Sequence, residues 1–164
     1  MRVGILGSGL MGAKLGTIFA RAGHQVVFTY ARSNGKLKKL ARDAHGSARA
    51  GTPSEAAQEA DALLLAVHWS RIEDVLNQTG DLSGKAVVTC SLPMNDDNTK
   101  LVVAHTSSGA EELARRLPNA RVVSAFNTAR IARYTEPFAL LVAELAYEGE
   151  GGPELAYRFE WFRK

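Results

Sequence analysis

Apolar positions in this chain gather into short unbroken runs separated by stretches patterned like helices. Arg2-Val3-Gly4-Ile5-Leu6, Gln25 to Tyr30, Asp61 to Val67, Ala86 to Cys90 and Arg121 to Phe126 are such runs, with a weaker one near Ser47 to Ala50. A run without polar alternation predicts a strand buried on both faces, as in a parallel sheet covered by helices on either side. Helix signals fill the gaps. Thr52-Pro53-Ser54-Glu55 and Ser70-Arg71-Ile72-Glu73 read as capping boxes, and Ser108-Gly109-Ala110-Glu111 caps a helix through Leu117, stopped by Pro118. Leu37, Leu40, Ala41 and Ala44 form the apolar face of another helix, and Gly23 sits where a helix C-terminus is expected. The alternation predicts an α/β, doubly wound, mostly parallel sheet.

Past the last strand, Ile131, Tyr134, Phe138, Leu141, Val142 and Leu145 fall on one helical stripe. Pro137 either kinks this C-terminal helix or lies near its true start, with Thr135 as cap, and Gly149 to Pro153 ends it. The tail carries Tyr157, Phe159, Trp161 and Phe162. The expected organisation is a domain over 1–128, with 129–164 forming a helix and aromatic tail packed on that domain or on the partner of a homodimer.

The first run ends in Gly7-Ser8-Gly9-Leu10-Met11-Gly12, a G-x-G-x-x-G sequence, and a helical pattern follows at once. This is the turn of a Rossmann dinucleotide site. Gly7 permits the tight exit from the strand, Gly9 lets backbone approach a pyrophosphate, and Gly12 lets the helix lie close on the sheet. Gly9, Gly12 or Ala13, Gly16 and Ala20 continue as a small-residue face. The unpaired N–H groups at the helix start then face the phosphates.

An acidic residue at the end of the second strand would bind a ribose 2′-hydroxyl and signal NAD. This chain has Tyr30-Ala31-Arg32-Ser33 there, and no Asp or Glu before Asp43. A guanidinium forks onto a 2′-phosphate or stacks on adenine, and the Ser33 hydroxyl adds a donor, with Lys36 a looser point charge. NADP(H) is therefore expected over NAD(H).

In a doubly wound sheet the C-terminal ends of the strands border the ligand crevice. Ala66-Val67-His68 and Ser91-Leu92-Pro93 fall at such ends and are expected to pass the nicotinamide half of the cofactor. His68 is the sole candidate for orienting substrate or cofactor, the alternative being that it packs the crevice wall. Trp69 reads as packing. No certain catalytic residue emerges.

Composition narrows the partners. The 164 residues, 46% of them hydrophobic, suffice for one core. The net charge of +3 draws on Arg32, Lys36, Lys38, Lys39 and Arg42, a helix face without the interleaved aromatics of a nucleic-acid surface. Cys90 is the single cysteine and reads as a small buried hydrophobe, so neither an intramolecular disulfide nor a cysteine metal site is expected. Asp96 and Asp97 are adjacent acids without a third ligand, and no metal is expected. No run is long enough to span a membrane, and the reading is a cytoplasmic protein.

Several segments together resemble the NADP oxidoreductases that depend on the deazaflavin coenzyme F420. They are Gly7 to Gly12, Arg32-Ser33, Leu65-Ala66-Val67-His68-Trp69, Ser124-Ala125-Phe126-Asn127-Thr128, Ala132-Arg133-Tyr134-Thr135-Glu136-Pro137 and Gly151-Gly152-Pro153. The opening strand and glycine turn are also similar to the N-terminal domain of pyrroline-5-carboxylate reductase. The first resemblance implies hydride exchange between NADPH and coenzyme F420 or a flavin such as FMN or FAD. Members continue after Phe-Asn-Thr into another strand, helix and strand bordering the flavin-side pocket. Here Thr128 is followed almost directly by Arg130-Ile131-Ala132-Arg133, so a unit of about thirty residues is missing. A non-catalytic NADPH-binding sensor or truncated remnant is the alternative, and an imine or hydroxy-acid reductase a lower one.

Overall fold

The computed structural model describes residues 1–103, 106–127 and 143–145. Seven strands form one sheet: β1 (Arg2–Leu6), β2 (Gln25–Thr29), β3 (Ala48–Ala50), β4 (Ala62–Leu65), β5 (Ala86–Thr89), β6 (Arg121–Ala125) and β7 (Ala143–Leu145). Among the described residues five helices lie between the first six of these strands: α1 (Leu10–Arg21), α2 (Asn34–Ala44), α3 (Pro53–Glu59), α4 (Ile72–Thr79) and α5 (Gly109–Arg116). The strand order is β3-β2-β1-β4-β5-β6-β7. The first six are parallel and β7 joins β6 antiparallel. From β1 the chain builds β2 and β3 on one side and then crosses to β4 on the other, so the order reverses between β1 and β4, and the C-terminal ends of these two strands are where such a sheet holds its ligand crevice.

Both faces of the sheet are buried, which accounts for the unbroken apolar runs. Val3 and Ile5 of β1, Val26 and Phe28 of β2 and Leu64 of β4 join one core with Leu15 and Ala20 of α1 and Leu37 and Ala44 of α2. Leu6, Leu63, Leu65, Val87 and Val122 face the other core, with Ala56 and Ala57 of α3, Ile72 and Val75 of α4 and Leu113 of α5. Successive residues on one strand thus enter different cores.

Local chemistry sets most helix ends. Thr52 accepts from the Glu55 amide at 3.2 Å while the Glu55 carboxylate accepts from the Thr52 amide at 2.9 Å. Ser108 and Glu111 make the same reciprocal pair at α5. Helix α1 ends in a Schellman turn: Gly23, at φ +88°, donates to the Ala20 carbonyl and His24 to that of Phe19.

Two expectations are corrected. Ser70 does not cap α4: its hydroxyl is bonded to His68 Nδ1 at 3.0 Å, so a 3₁₀ turn (Trp69–Arg71) intervenes and α4 starts behind Arg71 with no side-chain cap. The helical stripe does not run to Leu145 either. Ala143–Leu145 is a strand, with Leu145 opposite Val123 and Ala143 opposite Ala125. A short apolar run satisfies helix and strand periods alike, and the unpaired edge of β6 decides it. The rest of the proposed C-terminal helix and the aromatic tail lie outside the described residues. Among the described residues no helix is long and apolar enough to cross a membrane.

Close packing at the start of α1 yields a prediction. A Cβ on Gly12 would stand 1.8 Å from the Gly7 carbonyl oxygen, whereas one on Gly9 would meet nothing within 4 Å. Gly12→Ala should therefore destabilise the fold by about 1–3 kcal/mol or more, as overpacking does. Gly9→Ala should leave the urea midpoint nearly unchanged. Equal midpoints for the two variants would contradict this account of the turn.

Candidate cofactor site

The crevice has a floor made by the glycine turn. Gly7 leaves β1 at φ +110°, and a Cβ there would lie 2.5 Å from both the Ala66 carbonyl oxygen and Val67 Cγ1. Its amide donates to Thr29 O at 3.3 Å, and the Ser8 amide donates to Tyr30 O at 3.1 Å. The Ser8 side chain is wholly buried and donates to Thr29 O at 2.8 Å. Both Ser8 donors are thus used within the protein, tying the turn to the end of β2.

Above this floor α1 begins without a cap. Gly9 is its N-cap and supplies no side chain, no acidic residue sits in the first turn, and the first internal bond runs from Ala13 N–H to Gly9 O at 3.0 Å. The amides of Leu10, Met11 and Gly12 therefore lack a side-chain acceptor. The Leu10 side chain is 85% exposed at this same mouth. An uncapped helix start, open space beside Gly9 and the positive end of the helix dipole are together suited to an anion.

One side of the glycine turn is bordered by the corner between β2 and α2. Tyr30 closes the strand at φ +53°, and its hydroxyl donates to Asp74 Oδ2 on α4. Burial first, then the Asp74 carboxylate, push the Tyr30 phenol up to about 12, and the same bond holds Asp74 below the usual carboxylate range. Arg32 is exposed and makes no hydrogen bond or ion pair among the described residues. Ser33 caps α2, accepting from the Lys36 amide at 3.3 Å, so its hydroxyl hydrogen stays free to donate.

The opposite side lies beyond β4 and β5. The Ala66 amide donates to Leu6 O at 2.8 Å, so Ala66 and Val67 continue beside the glycine turn. Ser91 Oγ donates to Val67 O at 2.7 Å and joins the two strand ends. Leu92 is exposed and Pro93 buried. A cavity of about 440 Å³ opens there, lined by Ser91, Leu92, Pro93, Ser107, Ser108 and Asn127 among others.

His68 is occupied. Nδ1 accepts from the Ser70 amide at 3.4 Å, which leaves Nε2–H to donate to Asn98 Oδ1 at 3.1 Å. The ring thus anchors the 95–98 turn, whose Asn95 Oδ1 accepts from the amides of Thr99 and Lys100. Asn98, at φ +55°, carries no local sequence signal for this role. Asp96 comes within 4.0 Å of His68 Nδ1, and among the described residues no group of three His, Cys, Asp or Glu is placed to hold a metal ion. Trp69 packs between the Arg116 guanidinium, 5.7 Å from the ring centroid, and the start of α5.

Comparison with known families decides the relationship. Residues 2–93, more than half of the chain, match the family described as NADP oxidoreductase coenzyme F420-dependent. The chain belongs to this family. The matched stretch contains the glycine turn, the Arg32 corner and the Ser91–Pro93 strand end of this coenzyme F420-dependent NADP oxidoreductase relative.

Solved structures share the fold. A candidate F420-dependent NADP-reductase from Arthrobacter sp. FB24 superposes with TM-score 0.70 at 22% identity, over 79% of this chain and 64% of that one. The hypothetical protein SMa0349 from Sinorhizobium meliloti gives 0.76 at 24%, over 90% and 74%. The 3-hydroxyisobutyrate dehydrogenase from Salmonella typhimurium gives 0.65 at 21%, over 87% and 47%. The chain thus spans less than two thirds of the Arthrobacter protein and about half of the dehydrogenase.

Cys90 stands beside the crevice but is shielded. Its Sγ lies 3.7 Å from Leu65 O, and burial pushes the thiol up to about 11. Because the thiolate is the reactive form, the folded protein should react with an aromatic disulfide at about pH 8 far more slowly than the unfolded chain. Equal rates would contradict this placement.

Proposed function

We propose that this chain is an NADP(H)-binding oxidoreductase that passes hydride between NADPH and the deazaflavin coenzyme F420 or a flavin. The observation that carries the reading is the pairing of an uncapped, glycine-lined helix start with an exposed arginine at the end of β2 that has no partner among the described residues. A diphosphate and a 2′-phosphate are the two anions of NADP, and these features accept one each.

The residues present fit that cofactor. The backbone of Gly7, Gly9, Leu10, Met11 and Gly12 would receive the pyrophosphate, with Ser8 bracing the turn from beneath. Arg32 and Ser33 would hold the 2′-phosphate beside Tyr30, and Ala66, Val67, His68, Ser91, Leu92 and Pro93 would border the nicotinamide. The bound nicotinamide supplies the hydride chemistry at its C4 position.

What remains for the protein is orientation and exclusion of water. Direct hydride exchange between two flat rings needs contact at about 3–3.5 Å and no side-chain acid or base. The site agrees: both His68 ring nitrogens are engaged by Ser70 and Asn98, and the Cys90 thiol is held protonated. The cavity lined by Ser91, Pro93, Ser108 and Asn127 supports the reading by leaving room for a second ring.

A non-catalytic NADPH-binding protein is the second reading, favoured by Thr128 being followed almost directly by Arg130-Ile131-Ala132-Arg133, without the strand, helix and strand that the resemblance implies between them. Stopped-flow bleaching of oxidised coenzyme F420 by NADPH, which gives up the hydride and leaves as NADP⁺, separates the two. Turnover supports the oxidoreductase. NADPH binding with no turnover on deazaflavin, FMN or FAD supports the sensor.

Cofactor choice has its own test. Arg32→Ala should weaken NADPH binding about 10- to 100-fold, the worth of a charge-assisted hydrogen bond, and leave NADH binding nearly unchanged. An unchanged NADPH-to-NADH affinity ratio would remove Arg32 from the site.

A further inference from the structure

Tyr30 is placed oddly for an aromatic residue. It sits in the left-handed region at φ +53°, where side chains other than glycine, asparagine and aspartate are uncommon. A strained conformation persists only where the surroundings hold it, and here three contacts do so. Its carbonyl accepts the Ser8 amide of the glycine turn at 3.1 Å. The ring packs against the core that lies beneath α3, α4 and α5. Its hydroxyl donates to Asp74 Oδ2 on α4, and Asp74 Oδ1 in turn accepts from Gln78 Nε2 at 3.2 Å.

One residue therefore joins the glycine turn, the β2–α2 corner and α4. Two positions further on is Arg32, and the residue after that, Ser33, is fixed as the cap of α2. The corner is pinned on both sides of Arg32, although Arg32 itself touches no partner among the described residues. With its phenol pushed up to about 12, Tyr30 keeps its hydroxyl proton, and with it the donor to Asp74, throughout the neutral range.

We propose that the Tyr30–Asp74 pair is a positioning brace for dinucleotide choice: it holds the corner so that the Arg32 guanidinium faces the 2′-phosphate at a set distance from the glycine turn. The inference rests on the NADP reading above. Asp74 contributes through Tyr30 and not by touching the ligand. Its exposed side chain makes it replaceable without disturbing the core.

The test measures NADPH and NADH dissociation constants on the full chain for wild type, Tyr30→Phe, Asp74→Ala and Asp74→Asn, with folding checked by circular dichroism. Tyr30→Phe and Asp74→Ala should each lower the NADPH-to-NADH affinity ratio about tenfold, and combining them should cost little more, because they break one interaction. Asp74→Asn retains an acceptor for the tyrosine hydroxyl and should restore most of the ratio. Should Tyr30→Phe fail to fold, the two Asp74 variants carry the same comparison.

Folded variants with the wild-type ratio, or ones that lose both cofactors equally, would overturn the brace while leaving the NADP reading intact. A wild-type chain that binds NADH as tightly as NADPH would overturn both.

Discussion

The site depends on how closely α1 is allowed to approach β1. The Gly7 carbonyl lies where a side chain on Gly12 would have to be, and a Cβ on Gly16 would fall 2.3 Å from the Phe28 ring. This close approach brings the uncapped start of the helix down onto the strand ends. A helix lifted by a methyl group at Gly12 would carry its first amides away from the β1–β4 switch point.

The other features arrange themselves around that contact. Ser8 ties the turn to β2, Ser91 ties β5 to the end of β4, and His68 ties β4 to the turn containing Asn98. Each link uses hydrogen-bonding groups of the protein itself, so the crevice walls are set by the chain. At the strand ends the first amides of α1 have no side-chain cap, and among the described residues the Arg32 guanidinium has no partner. The family relationship and these unoccupied donors both agree with the proposed NADP site.

Much of this was legible in the sequence because the responsible chemistry is local. The glycine turn, the Gly23 turn and the boxes at Thr52 and Ser108 each involve residues within a few positions of one another, and the apolar runs marked all six parallel strands. Distant partners were not legible. His68 meets Asn98 thirty positions away and Tyr30 meets Asp74 forty-four away, and nothing near any of them announces the pairing. Ser70 illustrates the cost: its pattern fits a capping box, but a neighbouring imidazole claims the hydroxyl. Leu145 fits a helical stripe equally well, and a free sheet edge claims it instead.

The most direct measurement is a crystal structure of the full chain with NADPH. The account predicts the pyrophosphate against the amides of Leu10, Met11 and Gly12, the 2′-phosphate on Arg32, and the nicotinamide beside Ser91 and Pro93. A dinucleotide bound elsewhere, or one whose diphosphate stands clear of the Gly7 to Gly12 turn, would contradict it.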